Sequence, residues 1–243
     1  MKISIAQIEA IKGDIEKNQD KHLQFIEAAS SGQSDLIMFP ELSLTGYEPG
    51  LAKELATHSM DDRLNPLQKI SDKKNIIIGA GLPINDNNNL FIGMIIFQPG
   101  KERITYSKQY LYPTEKNIFT PGNTPCLIPL DETNIIAPAI CYELSNKEHT
   151  AYAHKMNATI YMASVLNSVN GVNADIEKLS NIASTYKMTT FMSNYIGESG
   201  GYECAGKSSI WNTEGELIAQ LDNRTEGILT YDTLDKSVEI RKR

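Results

Sequence analysis

Three residues of this 243-residue chain could do chemistry together: Cys141, Glu41 and Lys108. The cysteine closes the run from Asn134 to Ile140, whose isoleucines at 135, 136 and 140 read as a buried strand. A polar segment able to start a helix follows it, Leu144 to Glu148. A thiol placed there can attack an electrophilic carbon, and the free N–H groups of a helix start can receive the oxyanion that forms. The competing reading is an inert core thiol, because free cysteine is among the most buried residue types. Glu41 follows a short apolar run, Leu36 to Phe39, and Pro40, with Gly46 permitting a turn beyond it. Lys108 closes a second apolar segment and opens a loop, Tyr110 to Phe119, punctuated by aromatic residues and Pro113 and carrying Glu115. Alone, each charged residue reads as a solvated side chain. Together they share one property: each stands at the end of an apolar strand, and in an α/β architecture such ends converge on one rim.

The elements that must position them alternate along the chain. Strands are expected at Ile3–Ile5, Leu36–Phe39, Asn75–Gly81, Asn134–Ile140, Thr159–Ala163 and Thr190–Asn194. Helices are expected at Asp14–Ser30, with Asp14 as cap, and near Asp61–Lys74, Asn146–Met156 and Ala174–Lys187. Pro99-Gly100 joins Leu90–Gln98 to Arg103–Ser107 as a hairpin, and Asn212–Gly215 joins Ser208–Trp211 to Leu217–Leu221 as another. No linker or repeat interrupts residues 1–243, so one α/β domain with mixed sheets is expected.

Composition narrows the function. The net charge of −7 argues against a nucleic-acid partner, and the basic tail Arg241-Lys242-Arg243 reads as a solvated end. Three cysteines do not make a disulfide framework, which points to a reducing cytoplasm; Cys126 and Cys204 fall in no motif. No run approaches a membrane span, and the N-terminus lacks a signal-peptide pattern. His149 and His154 are off the metal-binding helical spacing, and the Ser-x-x-Lys runs at Ser71 and Ser184 lie in amphipathic helices without accompanying motifs.

Four segments in this order resemble the nitrilase (carbon–nitrogen hydrolase) superfamily. They are Pro40-Glu41 with Leu44–Tyr47, Lys108 with Pro113 and Glu115, Cys141-Tyr142-Glu143, and Gly206–Ile210 followed by Gly215-Glu216. The resemblance runs from the first strand to about Tyr231. It departs from many amidase members after the cysteine, where an aspartate and an arginine are replaced by Glu143 and Ser145.

The resemblance implies a four-layer αββα sandwich and a Glu–Lys–Cys triad that hydrolyses non-peptide carbon–nitrogen bonds. Glu41 would be the general base, Cys141 the nucleophile, and Lys108 with the backbone N–H of Tyr142 the oxyanion donors. Glu115 would be the second glutamate near the lysine. Tyr47 and Glu143 are candidate pocket residues, each with a packing or structural role as the alternative. A small amide is the first expected substrate, an N-carbamoyl compound the second and a nitrile the third. A non-catalytic binding protein that kept the fold is the alternative from another class. No metal or organic cofactor is expected, and a homodimer or higher even oligomer is. The loops Tyr47–Lys53, Tyr110–Phe119 and Leu166–Val172 should shape the pocket.

Overall fold

A computed structural model describes all residues, 1–243. In chain order the strands are β1 (Lys2–Gln7), β2 (Leu36–Met38), β3 (Ile77–Asp86), β4 (Asn89–Phe97), β5 (Ile104–Ser107), β6 (Ile128–Pro129), β7 (Ile135–Ile140) and β8 (Ile160–Ser164). They continue with β9 (Thr189–Ser193), β10 (Glu198–Ser199), β11 (Tyr202–Glu203), β12 (Ser209–Trp211), β13 (Leu217–Gln220), β14 (Gly227–Asp232) and β15 (Val238–Lys242). The α-helices are α1 (Ile15–Ser31), α2 (Ala52–Leu55), α3 (Asn65–Lys74), α4 (Lys147–Lys155) and α5 (Val172–Tyr186).

Two large sheets result, one ordered β15-β14-β1-β2-β3-β4-β5 and the other β13-β12-β9-β8-β7-β6. Parallel pairs (β1 with β2, β2 with β3, β7 with β8, β8 with β9) sit inside each sheet, and antiparallel strands complete the edges. The two sheets face each other. Ile3, Ile5, Met38 and Met94 of the first meet Ile136, Ile140, Met162 and Phe191 of the second in one buried cluster. Side chains alternate across a strand, so Ala137 and Ala139 of β7 point the other way. There, small residues admit α4 and α5, whose Ala153, Leu179 and Ile182 close a second core. On the opposite outer face Phe25 and Ile26 of α1 and Leu67 and Ile70 of α3 pack on Ile37, Ile78 and Ile95. The four layers are therefore αββα, as the resemblance implies.

Several boundaries differ from the sequence reading. The strand expected at Asn75–Gly81 runs on to Asp86 and pairs with β4 along its length. The turn between them, Asn87-Asn88, has φ of +49° and +64°, a conformation asparagine tolerates. Helix α5 begins two residues earlier than expected. The C-terminal residues form an edge strand, β15, in place of a solvated end, and Arg241 donates to the carbonyl of Ala28 near the end of α1 at 2.6 Å. Asp14 caps α1 as expected, accepting from Lys17 N–H at 3.0 Å.

Polar ties hold the strand ends of the two sheets together. Ser164 Oγ donates to the Phe39 carbonyl at 2.7 Å, Ser193 Oγ to the Ala6 carbonyl at 2.6 Å, and Tyr195 Oη to the Glu41 carbonyl at 2.6 Å. All of these groups are buried, where an unmade hydrogen bond costs about 1–3 kcal/mol, so the relative position of the sheet ends is well determined. That rim carries the reactive residues.

Candidate active site

Glu41 lies in the turn after β2, on a backbone that the fold leaves little room to move. Leu42 beside it has φ +53°, and a Cβ on Gly81 of β3 would come within 2.4 Å of the Leu42 nitrogen. Only glycine lets β3 pass so close. Gly46, with φ +73°, makes the turn that the sequence suggested. Lys108 follows β5 and is fully buried, with Glu41 Oε1 and Glu115 Oε1 each 2.8 Å from its Nζ. Tyr47 Oη also donates to Glu115 Oε1 at 2.8 Å, and the Tyr112 N–H donates to Glu115 Oε2 at 2.7 Å. Cys141 ends β7 and opens a 3₁₀ turn, Cys141–Ser145. Its φ is +46°, an unfavourable region for a residue with a Cβ, held here by the turn and by burial of its neighbours. The N–H groups that open a helical turn have no acceptor within it, so that of Tyr142 can point to a ligand.

The electrostatics follow from this crowding. Burial pushes the Glu41 carboxyl up to about 7; Lys108 opposes the rise and Glu115 adds to it. Burial lowers Lys108, but Glu41, Cys141 and Glu115 outweigh it and hold the ammonium well above its ordinary range. The Cys141 thiol is pushed up by burial and by Glu41, with Lys108 opposing. The resting site thus holds a neutral thiol next to a carboxylate of near-neutral affinity for a proton. One atom stands out: Glu41 Oε2 is buried and has no hydrogen-bond partner, while Oε1 is taken by Lys108. Buried carboxylate oxygens are almost always satisfied, so an unpaired one facing a thiol is an acceptor in waiting.

A cavity of about 320 Å³ opens over Cys141 and Glu41. Tyr47, Tyr112, Tyr142 and Leu166 line part of it, and Ser145, Asp175 and Lys178 line another part.

Residues 2–241 match the carbon-nitrogen hydrolase family. The chain belongs to it. It is 25% identical to the "Hydrolase in agr operon" of Staphylococcus aureus, over 98% of this chain and 93% of that protein. Among solved structures it is similar to the NitN amidase of Nesterenkonia sp. AN1, with a TM-score of 0.87 and 23% identity, covering 97% of this chain and 93% of that one. A cysteine-to-alanine mutant of the Nesterenkonia amidase in complex with butyramide aligns with a TM-score of 0.85 and 22% identity, over 95% and 89% of the two chains. This chain is accordingly an enzyme of the carbon–nitrogen hydrolase family.

Within this carbon–nitrogen hydrolase, Glu41, Lys108, Glu115 and Cys141 come together as the sequence suggested, and Tyr47 and Tyr142 line the cavity beside them. Glu143 does not line the cavity. It is fully buried behind the site, where its Oε1 accepts from Gln109 N–H at 2.6 Å and its Oε2 from Ile140 N–H at 2.6 Å. Tyr106 Oη lies 2.8 Å from both oxygens. Glu143 therefore ties the backbone just after Lys108 to the backbone just before Cys141, and of its two weighed roles the structural one fits this geometry. Burial raises its carboxyl to about 7 against the pull of those N–H groups. His149 extends the network: burial lowers it to about 4, so it is neutral at pH 7. Its Nδ1 lies 2.8 Å from Tyr161 Oη and its Nε2 2.9 Å from Tyr106 Oη. With Tyr106 donating to Glu143, the consistent tautomer carries the proton on Nε2.

The sequence reading missed Asp175 and Lys178 as cavity residues. They sit on the polar face of an amphipathic helix, where a charge ordinarily means solvent, and nothing in their spacing separates them from any other such pair. The loops named as pocket-forming do contribute, through Tyr47, Tyr112 and the segment Leu166–Ser168. Asn194 fixes the last of these, accepting from Asn167 N–H at 2.8 Å and donating to the Asn167 carbonyl at 3.2 Å. Cys126 and Cys204 do not line the cavity.

Proposed function

We propose that this chain hydrolyses a small amide through a thioester on Cys141. The observation that carries the reading is the unpaired, buried Glu41 Oε2 beside a thiol, with its companion oxygen held by Lys108. Glu41 Oε2 takes the thiol proton as Sγ attacks the carbonyl carbon. The carbonyl π pair moves to oxygen. Two of the three ammonium protons of Lys108 are engaged by Glu41 and Glu115, which leaves the third for that oxyanion, together with the Tyr142 N–H. As the tetrahedral intermediate collapses, the nitrogen takes the proton from Glu41 and leaves as ammonia or amine. Glu41 then accepts a proton from water, whose oxygen attacks the thioester. The second collapse returns the proton to sulfur and releases the carboxylic acid. Glu115 does not meet the carbonyl in this scheme; it holds Lys108 and Tyr47 in place.

A small amide is favoured by the size of the cavity and by the butyramide found in the structurally similar Nesterenkonia amidase. The same reading includes a single domain over residues 1–243, a homodimer or higher even oligomer, a cytoplasmic setting and no need of a cofactor or metal. No helix is long and apolar enough to cross a membrane. The test is ammonia release from a panel of simple amides, ω-amides, N-carbamoyl compounds and nitriles, with Cys141→Ala as control. Release from amides by the parent and none by the variant supports the reading. Release only from carbamoyl compounds or nitriles, or release that survives Cys141→Ala, overturns it.

A further inference from the structure

His22 of α1 is fully buried and takes no part in the chemistry above. Both nitrogens of its ring have partners. Nδ1 lies 2.6 Å from the Asn18 carbonyl and Nε2 2.9 Å from Ser43 Oγ. A carbonyl only accepts, so Nδ1 carries the proton and Nε2 accepts from the Ser43 hydroxyl. Ser43 Oγ in turn accepts from the Gly81 N–H of β3 at 3.3 Å. Burial lowers the imidazole to about 4, so the ring is neutral at pH 7, as these bonds require. The ring also stacks on Phe39, with centroids 3.9 Å apart. Phe39 and Ser43 stand two residues before and two residues after Glu41. One side chain therefore grips the chain on both sides of that glutamate.

Glu41 depends on such a grip. Lys108 holds its Oε1, but no hydrogen bond holds Oε2, the oxygen that faces the thiol. The aim of Oε2 is then set by where the backbone around Glu41 lies. The two sheets fix part of that backbone: the Phe39 carbonyl accepts from Ser164, the Glu41 carbonyl from Tyr195, and the Leu44 N–H donates to the Gly81 carbonyl at 2.9 Å. Helix α1 fixes the rest, through His22 and through Asn18 Nδ2, which donates to the Leu44 carbonyl at 3.1 Å.

We propose that His22 is a positioning residue for the general base: by stacking on Phe39 and accepting from Ser43, it holds the Glu41 turn so that the unpaired carboxylate oxygen meets the Cys141 thiol. This rests on the assignment of Glu41 as base made above. His22 does not line the cavity, so it acts through the backbone and not on the substrate. A reacting group misplaced by about 1 Å can cost about 10²-fold in rate. Loss of the grip therefore slows the chemical step and leaves substrate affinity alone.

The test uses His22→Phe, Ser43→Ala and the double variant. His22→Phe keeps a stacking ring and strands the Ser43 hydroxyl; Ser43→Ala strands Nε2. Each should lower the melting temperature, and each should lower kcat for butyramide by about tenfold or more with KM unchanged. The double variant removes both polar partners, so its melting temperature should return most of the way while kcat stays low. A kcat that recovers along with the melting temperature, or one that neither single variant lowers, makes His22 a core residue and overturns the proposal. A second readout needs only the base and the thiol: the rate at which iodoacetamide alkylates Cys141, followed on the Cys141 peptide by mass spectrometry. The double variant should slow it by about tenfold. Slowed alkylation, without turnover of any amide by the parent, would sustain the positioning role and sink the amidase reading. Equal butyramide turnover by the parent and the double variant would overturn the positioning role and leave the amidase reading standing.

Discussion

Two buried glutamates, Glu41 and Glu143, sit behind the same rim, and the difference between them separates chemistry from architecture. Both follow apolar strands, both are almost wholly excluded from solvent, and burial raises both to about 7. Both oxygens of Glu143 have partners, from two backbone N–H groups and Tyr106. Glu41 has one oxygen locked by Lys108 and the other left open toward the thiol. A carboxylate with both oxygens engaged holds two segments of backbone in register. One with a free lone pair beside a proton donor can take the proton. A perturbed affinity is common to both glutamates; the unpaired oxygen is what separates Glu41 from Glu143.

The comparison breaks most sharply at the nucleophile and base. Cys141→Ala should abolish turnover while leaving the melting temperature near that of the parent, and Glu41→Gln should lower kcat by about 10²–10⁴-fold. Steady-state kinetics beside thermal denaturation read both; retained turnover in either variant would place the base or nucleophile elsewhere. Lys108→Met removes an oxyanion donor and strands two buried carboxylates. It should cost about 10²–10³-fold in kcat and, by chemical denaturation, about 3–5 kcal/mol of stability. On the other side of the comparison, Tyr106→Phe leaves Glu143 with two backbone donors and removes one hydroxyl. A loss of about 1–3 kcal/mol is expected, with kcat falling less than for Glu41→Gln. A larger effect on kcat than on stability would move this network from architecture to chemistry.

The mildest test is pH. Glu41 must be ionised to accept the thiol proton, so kcat/KM should rise with pH through a limb near 7. Stability should run the opposite way. Glu41 and Glu143 hold protons to higher pH in the folded chain than in the unfolded chain, so the folded state binds more protons between about 4.5 and 7, and their contribution to stability falls as pH rises through that window. Melting temperatures across this range check the sign, and Glu143→Leu should flatten the slope without moving the kinetic limb.

Much of this was legible in the chain itself, and the limit has a physical cause. Short continuous apolar runs located most of the inner strands, because a strand covered on both faces is apolar at nearly every position. Position at the end of an apolar strand singled out Glu41, Lys108 and Cys141, and the family resemblance added Glu115. The turn at Asn87-Asn88 could have been read from asparagine's tolerance of positive φ, and β15 was hidden by a charged composition that suits an exposed edge as well as a free tail. The roles of Tyr47 and Glu143 stayed open because one side chain serves equally as pocket wall, packing or hydrogen-bond clamp until its neighbours are known. Only the tertiary structure placed Glu143 behind the site, left Glu41 Oε2 without a partner and carried Lys178 to Ser145 across 33 positions of sequence. Sequence periodicity encodes which face a residue takes. The partner it meets there depends on how separate elements pack, and at this rim that packing decides which carboxylate holds the fold and which can take a proton.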